Sequence, residues 1–162
     1  MQLYLLRHAI AVERGTPGYE NDAERPLTPK GRRKLEKIVE ALQDSGLVLD
    51  QVISSPYLRA RETAHVVAKA YKLKVALCEH LAPGMDHYGL KQELAETYPQ
   101  AVNLMLVGHE PDLSELTCSL IGAPSYALAG LKKGGLACLN LPSWESLASL
   151  EYLVTPKTLL RA

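Results

Sequence analysis

Residues 1–15 read MQLYLLRHAIAVERG, and residues 3–6 inside this stretch form a nearly continuous apolar run. A strand with apolar side chains on both of its faces is typical of the centre of a sheet that is covered on both sides. Arg7 and His8 follow the run directly. The stretch therefore predicts a buried first strand that carries charged and titratable side chains where it ends.

The rest of the chain alternates between short apolar runs and segments with helical spacing. Further strands are predicted at residues 51–54, 74–77, 102–107, 135–141 and 149–154. Four helices are predicted between these strands, ending near Gly46, Tyr71, Tyr98 and Gly122. Each helix starts with a capping residue or a proline, signals that favour a helix amino terminus: Thr28 with Pro29, Ser55 with Pro56, Asp86, and Pro111.

This order is a strand and a helix repeated four times, followed by two strands. It predicts an α/β fold, a three-layer α/β/α sandwich with a mostly parallel six-stranded sheet. The length of 162 residues fits a single domain over residues 1–162, and no repeat, low-complexity segment or linker divides it.

The composition excludes several classes of protein. Hydrophobic residues make up 47% and charged residues 22%, which is typical of a globular protein rather than a disordered one. The formal net charge is zero, so no general attraction for nucleic acid or anionic lipid is expected. No apolar run approaches the roughly 20 residues that span a bilayer, so no membrane association is expected.

The compartment is predicted from the cysteines and the first residues. Three cysteines, an odd number, favour a reducing environment over a disulfide framework. Arg7 and His8 interrupt the first apolar run, and no basic residue precedes it, unlike a secretory signal. A cytoplasmic protein is therefore expected.

Polar side chains follow three of the predicted strands at the point where each strand ends. They are Arg7 and His8 after the first strand, Ser54, Ser55 and Arg59 after the second, and Gly108, His109 and Glu110 after the fourth. Ligands of open α/β sheets bind outside the carboxyl ends of the strands, so two histidines and two arginines should converge there. Arginine forks and helix amino termini suit a phosphate-like oxyanion. The set contains no carboxylate cluster or cysteine pair, so no metal or other cofactor is expected.

Helical spacing separates two neighbouring arginines of the second helix. Arg59 and Arg61 are two residues apart, so they point to different faces of the helix. Arg59 is nearer the strand end and is predicted to reach the pocket. Arg61 is expected to face solvent or to pair with a carboxylate.

Three segments in this order resemble the histidine phosphatase superfamily, whose fold is phosphoglycerate mutase-like. They are LLRHA at residues 5–9, SSPYLRARETA at residues 54–64 and LVGHEPDLS at residues 106–114. The run RPLTPKG at residues 25–31 and the closing VTPK at residues 154–157 are similar to the small SixA-type phosphohistidine phosphatases.

The resemblance implies roles for individual residues. His8 would be the nucleophile that takes the phosphoryl group, while Arg7, Arg59 and His109 would hold its oxygens, and Arg25 would lie beside the pocket. The implied activity is that of a metal-independent phosphatase with a phosphohistidine intermediate. Its implied partner is a phosphorylated protein, such as a histidine-phosphotransfer domain of a signalling relay.

The sequence departs from the superfamily at its general acid. Many members carry a glutamate after the third strand, and this region reads LCEHLAPG, in which Glu79 and His80 are both candidates. A phosphohistidine substrate relaxes the requirement, because imidazole leaves more easily than an alkoxide.

Two other functions stay open at this point. The first is a phosphatase or mutase of small phosphate monoesters on the same scaffold. The short segment of about 25 residues between the third and fourth strands leaves little chain for the closed pocket of a mutase. The second is a non-catalytic phosphate-binding regulatory module, and the intact His8 argues against it.

Overall fold

The first apolar run forms strand β1 (Gln2–Arg7), which lies inside a six-stranded sheet. The computed structural model describes residues 1–161. The other strands are β2 (Gln51–Ser54), β3 (Val75–Leu77), β4 (Asn103–Gly108), β5 (Leu136–Asn140) and β6 (Ser149–Val154). Their order across the sheet is β3-β2-β4-β1-β5-β6. The β3-β2, β2-β4 and β4-β1 pairs are parallel, and the β1-β5 and β5-β6 pairs are antiparallel. The predicted mostly parallel six-stranded sheet is confirmed.

Helices cover both faces of the sheet, as the predicted three-layer sandwich requires. They are α1 (Pro29–Asp44), α2 (Leu58–Tyr71), α3 (His87–Thr97), α4 (Asp112–Leu120) and the short α5 (Pro156–Leu159). Helices α1, α2 and α5 pack on one face, and α3 and α4 on the other. Two 3-10 turns, Asp22–Glu24 and Glu79–Leu81, lie in the loops after β1 and β3. None of the helices in residues 1–161 is long and apolar enough to cross a membrane.

The burial of β1 explains its apolar run. Tyr4 and Leu6 belong to the core that contains α1 and α2, and Leu3 and Leu5 belong to the core that contains α3 and α4. All four residues are at most 7% exposed. Both faces of the strand therefore bury apolar surface, which stabilises the fold by about 25 cal/mol for each Å² removed from water.

The observed starts of α1 and α3 agree with the predicted starts, and the observed start of α2 differs from its prediction. Thr28 Oγ1 accepts a hydrogen bond from the Gly31 amide at 2.9 Å and caps α1. The Ser55–Pro56 signal wrongly predicted the start of α2, because that helix begins two residues later, after an extended Tyr57. Ser55 continues the sheet instead, since its amide donates to the Val107 carbonyl at 3.0 Å.

The first turn of α1 lies directly against the segment that follows β1. The Thr28 amide donates to the Ile10 carbonyl at 3.0 Å. A Cβ atom added to Gly31 would lie 2.1 Å from that same carbonyl oxygen. The close approach therefore requires glycine at this position, and it holds α1 against the chain just beyond His8.

Strand directions bring several chain segments to one edge of the sheet. Strand β6 is antiparallel to β5, which is antiparallel to β1, so β6 runs parallel to β1. The start of β5 and the end of β6 therefore lie at the same edge as the carboxyl ends of β1, β2 and β4. Leu136 shows this directly, because it pairs with Leu6 on one side and with Val154 on the other.

Candidate active site

The five predicted site residues line one pocket at this edge of the sheet. The cavity has a volume of about 450 Å³. Its lining residues are Arg7, His8, Glu13, Arg14, Arg25, Arg59, Pro83, His109, Glu110 and Lys133. The structure therefore places together side chains from β1, the loop after it, α2 and the loop after β4.

His8 sits immediately after β1 and is only 6% exposed. Its amide donates to the Gly108 carbonyl at 3.0 Å, which ties it to the end of β4. Its Nδ1 atom lies 2.7 Å from the Ala9 carbonyl oxygen. Because a carbonyl oxygen can only accept, Nδ1 carries the proton and donates it. The lone pair of His8 is therefore on Nε2.

The electrostatic environment keeps His8 uncharged. Burial lowers the pKa of His8 to about 3, with further lowering from the charges of Arg59, Arg7 and Lys133. The Ala9 hydrogen bond opposes this shift in the pKa. At neutral pH the imidazole is neutral, which is the nucleophilic form.

His109 lies beside His8 at the end of β4. The two ring centroids are 5.2 Å apart. The Nε2 atom of His109 lies 2.8 Å from Ser55 Oγ, and no residue in the range 1–161 is hydrogen-bonded to its buried Nδ1. Burial, together with the charge of Arg59, lowers the pKa of His109 to about 3, although the charge of Asp22 opposes this shift. His109 is therefore also neutral at pH 7.

Two arginines flank the histidines: Arg59 is buried, and Arg7 is half-buried. Arg59 is 3% exposed and reaches the pocket from the first turn of α2, with its guanidinium 5.0 Å from the centre of the Tyr57 ring. Arg7 Nη1 donates to the Leu131 carbonyl at 2.7 Å. The Nε atoms of Arg7 and Arg59 have no hydrogen-bond partner within the described part of the chain. Arg61 is exposed, as its position on the other face of the helix predicts.

Asp22 holds the arginines and was missed by the sequence analysis. Its Oδ1 atom accepts from Arg25 Nε at 2.9 Å and from Arg14 Nε at 3.0 Å, while Arg59 contacts its Oδ2. Although partial burial raises the pKa of Asp22, the hydrogen bonds from Arg14 and Arg25 and the charge of Arg59 lower it to about 2. Asp22 lies in a turn-rich loop with no periodicity, so no sequence signal pointed to it.

Arg25 lines the pocket, although its own donors are occupied by neighbouring groups. It is 9% exposed, and it hydrogen-bonds to Asp22 and to the Val12 carbonyl. Arg25 therefore adds positive charge at the pocket wall and braces Asp22.

Neither candidate general acid lines the pocket. Glu79 is exposed, and His80 Nδ1 lies 3.3 Å from Asp86 Oδ2. The lining carboxyl groups are instead those of Glu13 and Glu110. The sequence placed Glu110 after β4 without giving it a role. Glu110 Oε2 accepts a hydrogen bond from the Ser114 hydroxyl. Burial of Arg7 lowers the pKa of its guanidinium, and the negative charge of Glu110 opposes this shift.

The unpartnered donors determine what the pocket can hold. Arg7 Nε, Arg59 Nε and His109 Nδ1 are buried nitrogen atoms without a partner among residues 1–161. His109 Nδ1 is a donor in the tautomer in which the Ser55 hydroxyl donates to His109 Nε2. Buried donors in proteins are normally paired, so these atoms favour a ligand rich in acceptor oxygens. A phosphoryl group fits this requirement. No group of three or more His, Cys, Asp or Glu side chains is arranged to hold a metal ion in the described residues.

A comparison with known proteins identifies the family. The sequence pattern of the histidine phosphatase superfamily (branch 1) matches residues 3–115, which include all five predicted site residues. The chain belongs to the histidine phosphatase superfamily. The resemblance of the LLRHA, SSPYLRARETA and LVGHEPDLS segments to this family is thereby confirmed.

Proteins similar to this histidine phosphatase match nearly all of its length. An uncharacterized protein of Picosynechococcus sp. is 35% identical, over 99% of each chain. The protein histidine phosphatase SixA in complex with tungstate has the same fold, with a TM-score of 0.85, 22% identity, and 98% and 99% of the two chains covered. An Agrobacterium tumefaciens protein proposed to be the phosphohistidine phosphatase SixA is 26% identical, with a TM-score of 0.78 and coverage of 96% and 97%.

The same fold also carries other phosphatase activities. The alpha-ribazole phosphatase of Shigella flexneri has a TM-score of 0.73 and 20% identity, with 96% and 97% of the chains covered. The family and fold therefore establish a phosphatase, while the choice of substrate depends on features of this chain.

Proposed function

We propose that this phosphatase removes the phosphoryl group from phosphohistidine on a signalling protein, such as a histidine-phosphotransfer domain. The observation that carries the proposal is the neutral His8 beside the unpartnered donors of Arg7, Arg59 and His109. A free Nε2 lone pair can attack phosphorus, and the three donors can hold the oxygens around it.

The reaction proceeds in two steps. In the first, His8 Nε2 forms a bond to phosphorus, and the bond from phosphorus to the substrate imidazole breaks. The leaving imidazole takes a proton from water or leaves already protonated. In the second step, a water oxygen attacks the phosphorus on His8, which releases inorganic phosphate and restores the Nε2 lone pair.

The pocket stabilises the charge that this transfer creates. Arg7 and Arg59 neutralise the oxygens of the transferring group, and His109 Nδ1 donates to one of them, so positioning and electrostatics supply most of the catalysis. The hydrogen bond from His8 Nδ1 to the Ala9 carbonyl, at 2.7 Å, stabilises the positive imidazole ring of the intermediate.

The position of the two residues predicted as general acid candidates, Glu79 and His80, supports a phosphohistidine substrate. Glu79 and His80 lie outside the pocket lining. A leaving imidazole, with a reference pKa near 6.5 when protonated, needs little help from an acid. The SixA-type neighbours in the structural comparison support the same substrate class. We keep the cytoplasm as the proposed compartment, because all three cysteines are buried free thiols.

A second candidate is the hydrolysis of small phosphate monoesters. Glu13 and Glu110 line the pocket, and either carboxyl group could protonate a leaving alkoxide. The shared fold of the alpha-ribazole phosphatase also supports this second candidate function.

Trapping of the intermediate tests the proposal. The wild-type protein is incubated with a ³²P-phosphohistidine protein and with a labelled sugar phosphate, then quenched in alkali. We expect acid-labile, alkali-stable label on the wild-type chain and none on a folded His8→Asn variant. We also expect the phosphohistidine protein to have the higher kcat/KM. Preference for the sugar phosphate would select the second candidate, and full activity of His8→Asn would refute the mechanism.

A further inference from the structure

A second cavity adjoins the active-site pocket and is strongly basic. Its volume is about 600 Å³, and its charged lining residues are Arg7, Lys34, Lys132, Lys133 and Lys157. We call this feature the lysine groove. Arg7 and Lys133 line both cavities, so the groove leads directly into the pocket.

Three separate elements bring the lysines together. Lys34 comes from α1, Lys157 from the first turn of α5, and Lys132 and Lys133 from the turn before β5. This convergence follows from the sheet, because β5 starts and β6 ends at the edge where β1 ends.

The turn that carries Lys132 and Lys133 is fixed to the nucleophile segment. The Gly134 amide lies 3.1 Å from the Arg7 carbonyl oxygen and 3.2 Å from that of His8. Gly134 has a φ of +76° and packs so closely that an added Cβ would meet Ile38 at 3.0 Å. The backbone that carries the two lysines is therefore tied to the backbone of Arg7 and His8.

The lysines of the groove are unpaired as far as residues 1–161 are concerned. Within residues 1–161, none of the four forms an ion pair within 4.0 Å, and no carboxylate lines the groove. The whole chain has zero formal net charge, so this concentration of charge is a local feature. An unpaired basic surface steers an acidic partner toward it.

We propose that the lysine groove docks an acidic segment of the phosphorylated partner, next to the phosphohistidine that enters the pocket. This inference rests on the proposed function and adds to it a basis for choosing between protein substrates. Carboxylates on an extended segment suit lysines spread over three elements, whereas a single phosphate favours convergent donors. Ile10 and Pro156 add an apolar floor against which the backbone of such a segment can pack.

The experiment uses two synthetic peptides that each contain one histidine, phosphorylated with phosphoramidate. The peptides are identical except that the residues flanking the histidine are Glu in one and Gln in the other. The measured quantity is the ratio of kcat/KM for the Glu peptide to kcat/KM for the Gln peptide. For the wild-type protein at low salt we expect a ratio of about ten, from electrostatic steering.

Charge reversal and salt test the assignment to the groove. In Lys34→Glu/Lys157→Glu, the ratio should fall to about one or below. The control Lys74→Glu/Lys91→Glu has the same charge change on residues outside the groove, and it should keep the wild-type ratio. In the wild-type protein, the ratio should approach one when salt rises from about 0.02 M to about 0.5 M, a result that does not depend on the folding of any variant.

The outcomes separate the two proposals. If the wild-type protein hydrolyses neither peptide, the proposed function fails. If it hydrolyses both peptides equally at low salt, or if the control variant loses the preference as fully as the groove variant, the docking inference fails while the function stands. Loss of fructose 1,6-bisphosphate hydrolysis in the groove variant, with an unchanged peptide ratio, would assign the groove to a small polyanion and overturn the inference.

Discussion

Asp22 binds Arg59 through both its main chain and its side chain. Arg59 Nη1 donates to the Asp22 carbonyl at 2.7 Å, and Arg59 Nη2 lies 3.1 Å from Asp22 Oδ2. The guanidinium plane is therefore fixed by the protein itself, and Arg59 Nε remains a buried donor without a partner in residues 1–161. Preorganised donors of this kind stabilise a transition state without reorganisation during the reaction.

Removal of this carboxylate should reduce the rate. Asp22→Ala removes the carboxylate that Arg59 and Arg25 share and leaves Arg59 only its bond to the main-chain carbonyl of residue 22. We expect kcat to fall on the order of 10- to 100-fold, since a small misplacement of a catalytic group has a large effect. The control is Asp44→Ala, which removes an exposed carboxylate at the end of α1. Steady-state kinetics on a phosphohistidine peptide provides the measurement. Equal rates for the two variants would show that Asp22 does not position the arginines.

The two arginines of α2 should differ sharply. Arg59→Ala removes a buried donor from the pocket, and we expect kcat/KM to fall by about 10²–10³-fold, as for other transition-state donors. Arg61→Ala changes an exposed side chain and should stay within about twofold of wild type, because surface substitutions have small effects. Both variants should stay folded in the absence of urea, and Arg59→Ala should unfold at the lower urea concentration, because it removes the buried contacts with Asp22. A larger loss for Arg61→Ala would place the wrong face of the helix at the pocket.

Stability should depend on pH through His8. Its pKa is about 3 in the folded protein, against an ordinary value of 6.5 for histidine. Below pH 6.5 the unfolded chain binds a proton that the folded chain does not, so stability is complete above pH 6.5 and is lost toward pH 3. Between pH 6.5 and pH 5.5, the wild-type protein should lose about 1 kcal/mol more unfolding free energy than His8→Asn, close to the limit for one group per pH unit. Urea titrations at both pH values measure the difference, and identical losses would mean that folding does not shift the pKa of His8.

The general acid can be assigned by a comparison of leaving groups. Glu79→Gln/His80→Gln should keep both phosphohistidine and alkyl phosphate activity within about twofold, because neither residue lines the pocket. Glu110→Gln should slow the alkyl phosphate reaction more than the phosphohistidine reaction, since only an alkoxide needs a positioned proton, worth about 10²–10⁴-fold. Rates on both substrates for both variants form the test. A large loss on both substrates in the Glu79/His80 variant would return that loop to the active site.

Local patterns predicted the parts of the molecule that depend on local physics. The apolar run of β1 and the polar residues at strand ends required only that parallel strands end at one edge, and the structure brings His8 and His109 together there. The cap signal at Ser55 and Pro56 failed to predict the start of α2, because Ser55 bonds to the sheet and to His109 instead of capping a helix. Its hydroxyl accepts from the Tyr57 amide at 3.3 Å and contacts His109, and the sheet bond of its amide delays the helix.

Contacts between distant parts of the chain left no local pattern. Asp22 and Arg59 are 37 residues apart in the sequence. Asp22 lies in a turn-rich loop whose sequence has no periodicity that would mark this residue. Helix α5 was also not predicted, although Thr155 with Pro156 repeats the signal that begins α1 at Thr28 and Pro29. With four residues, α5 is too short to show an apolar stripe, so only its cap could have revealed it.

The close approach of Gly31 to the Ile10 carbonyl has a consequence for random mutagenesis. Any side chain at residue 31 would act as a wedge, because an added Cβ would overlap that oxygen at 2.1 Å. The wedge would displace the segment two residues beyond His8, although residue 31 does not line the pocket. A screen for inactive but folded variants should therefore recover substitutions at position 31, and a search restricted to pocket residues would overlook this cause of inactivity.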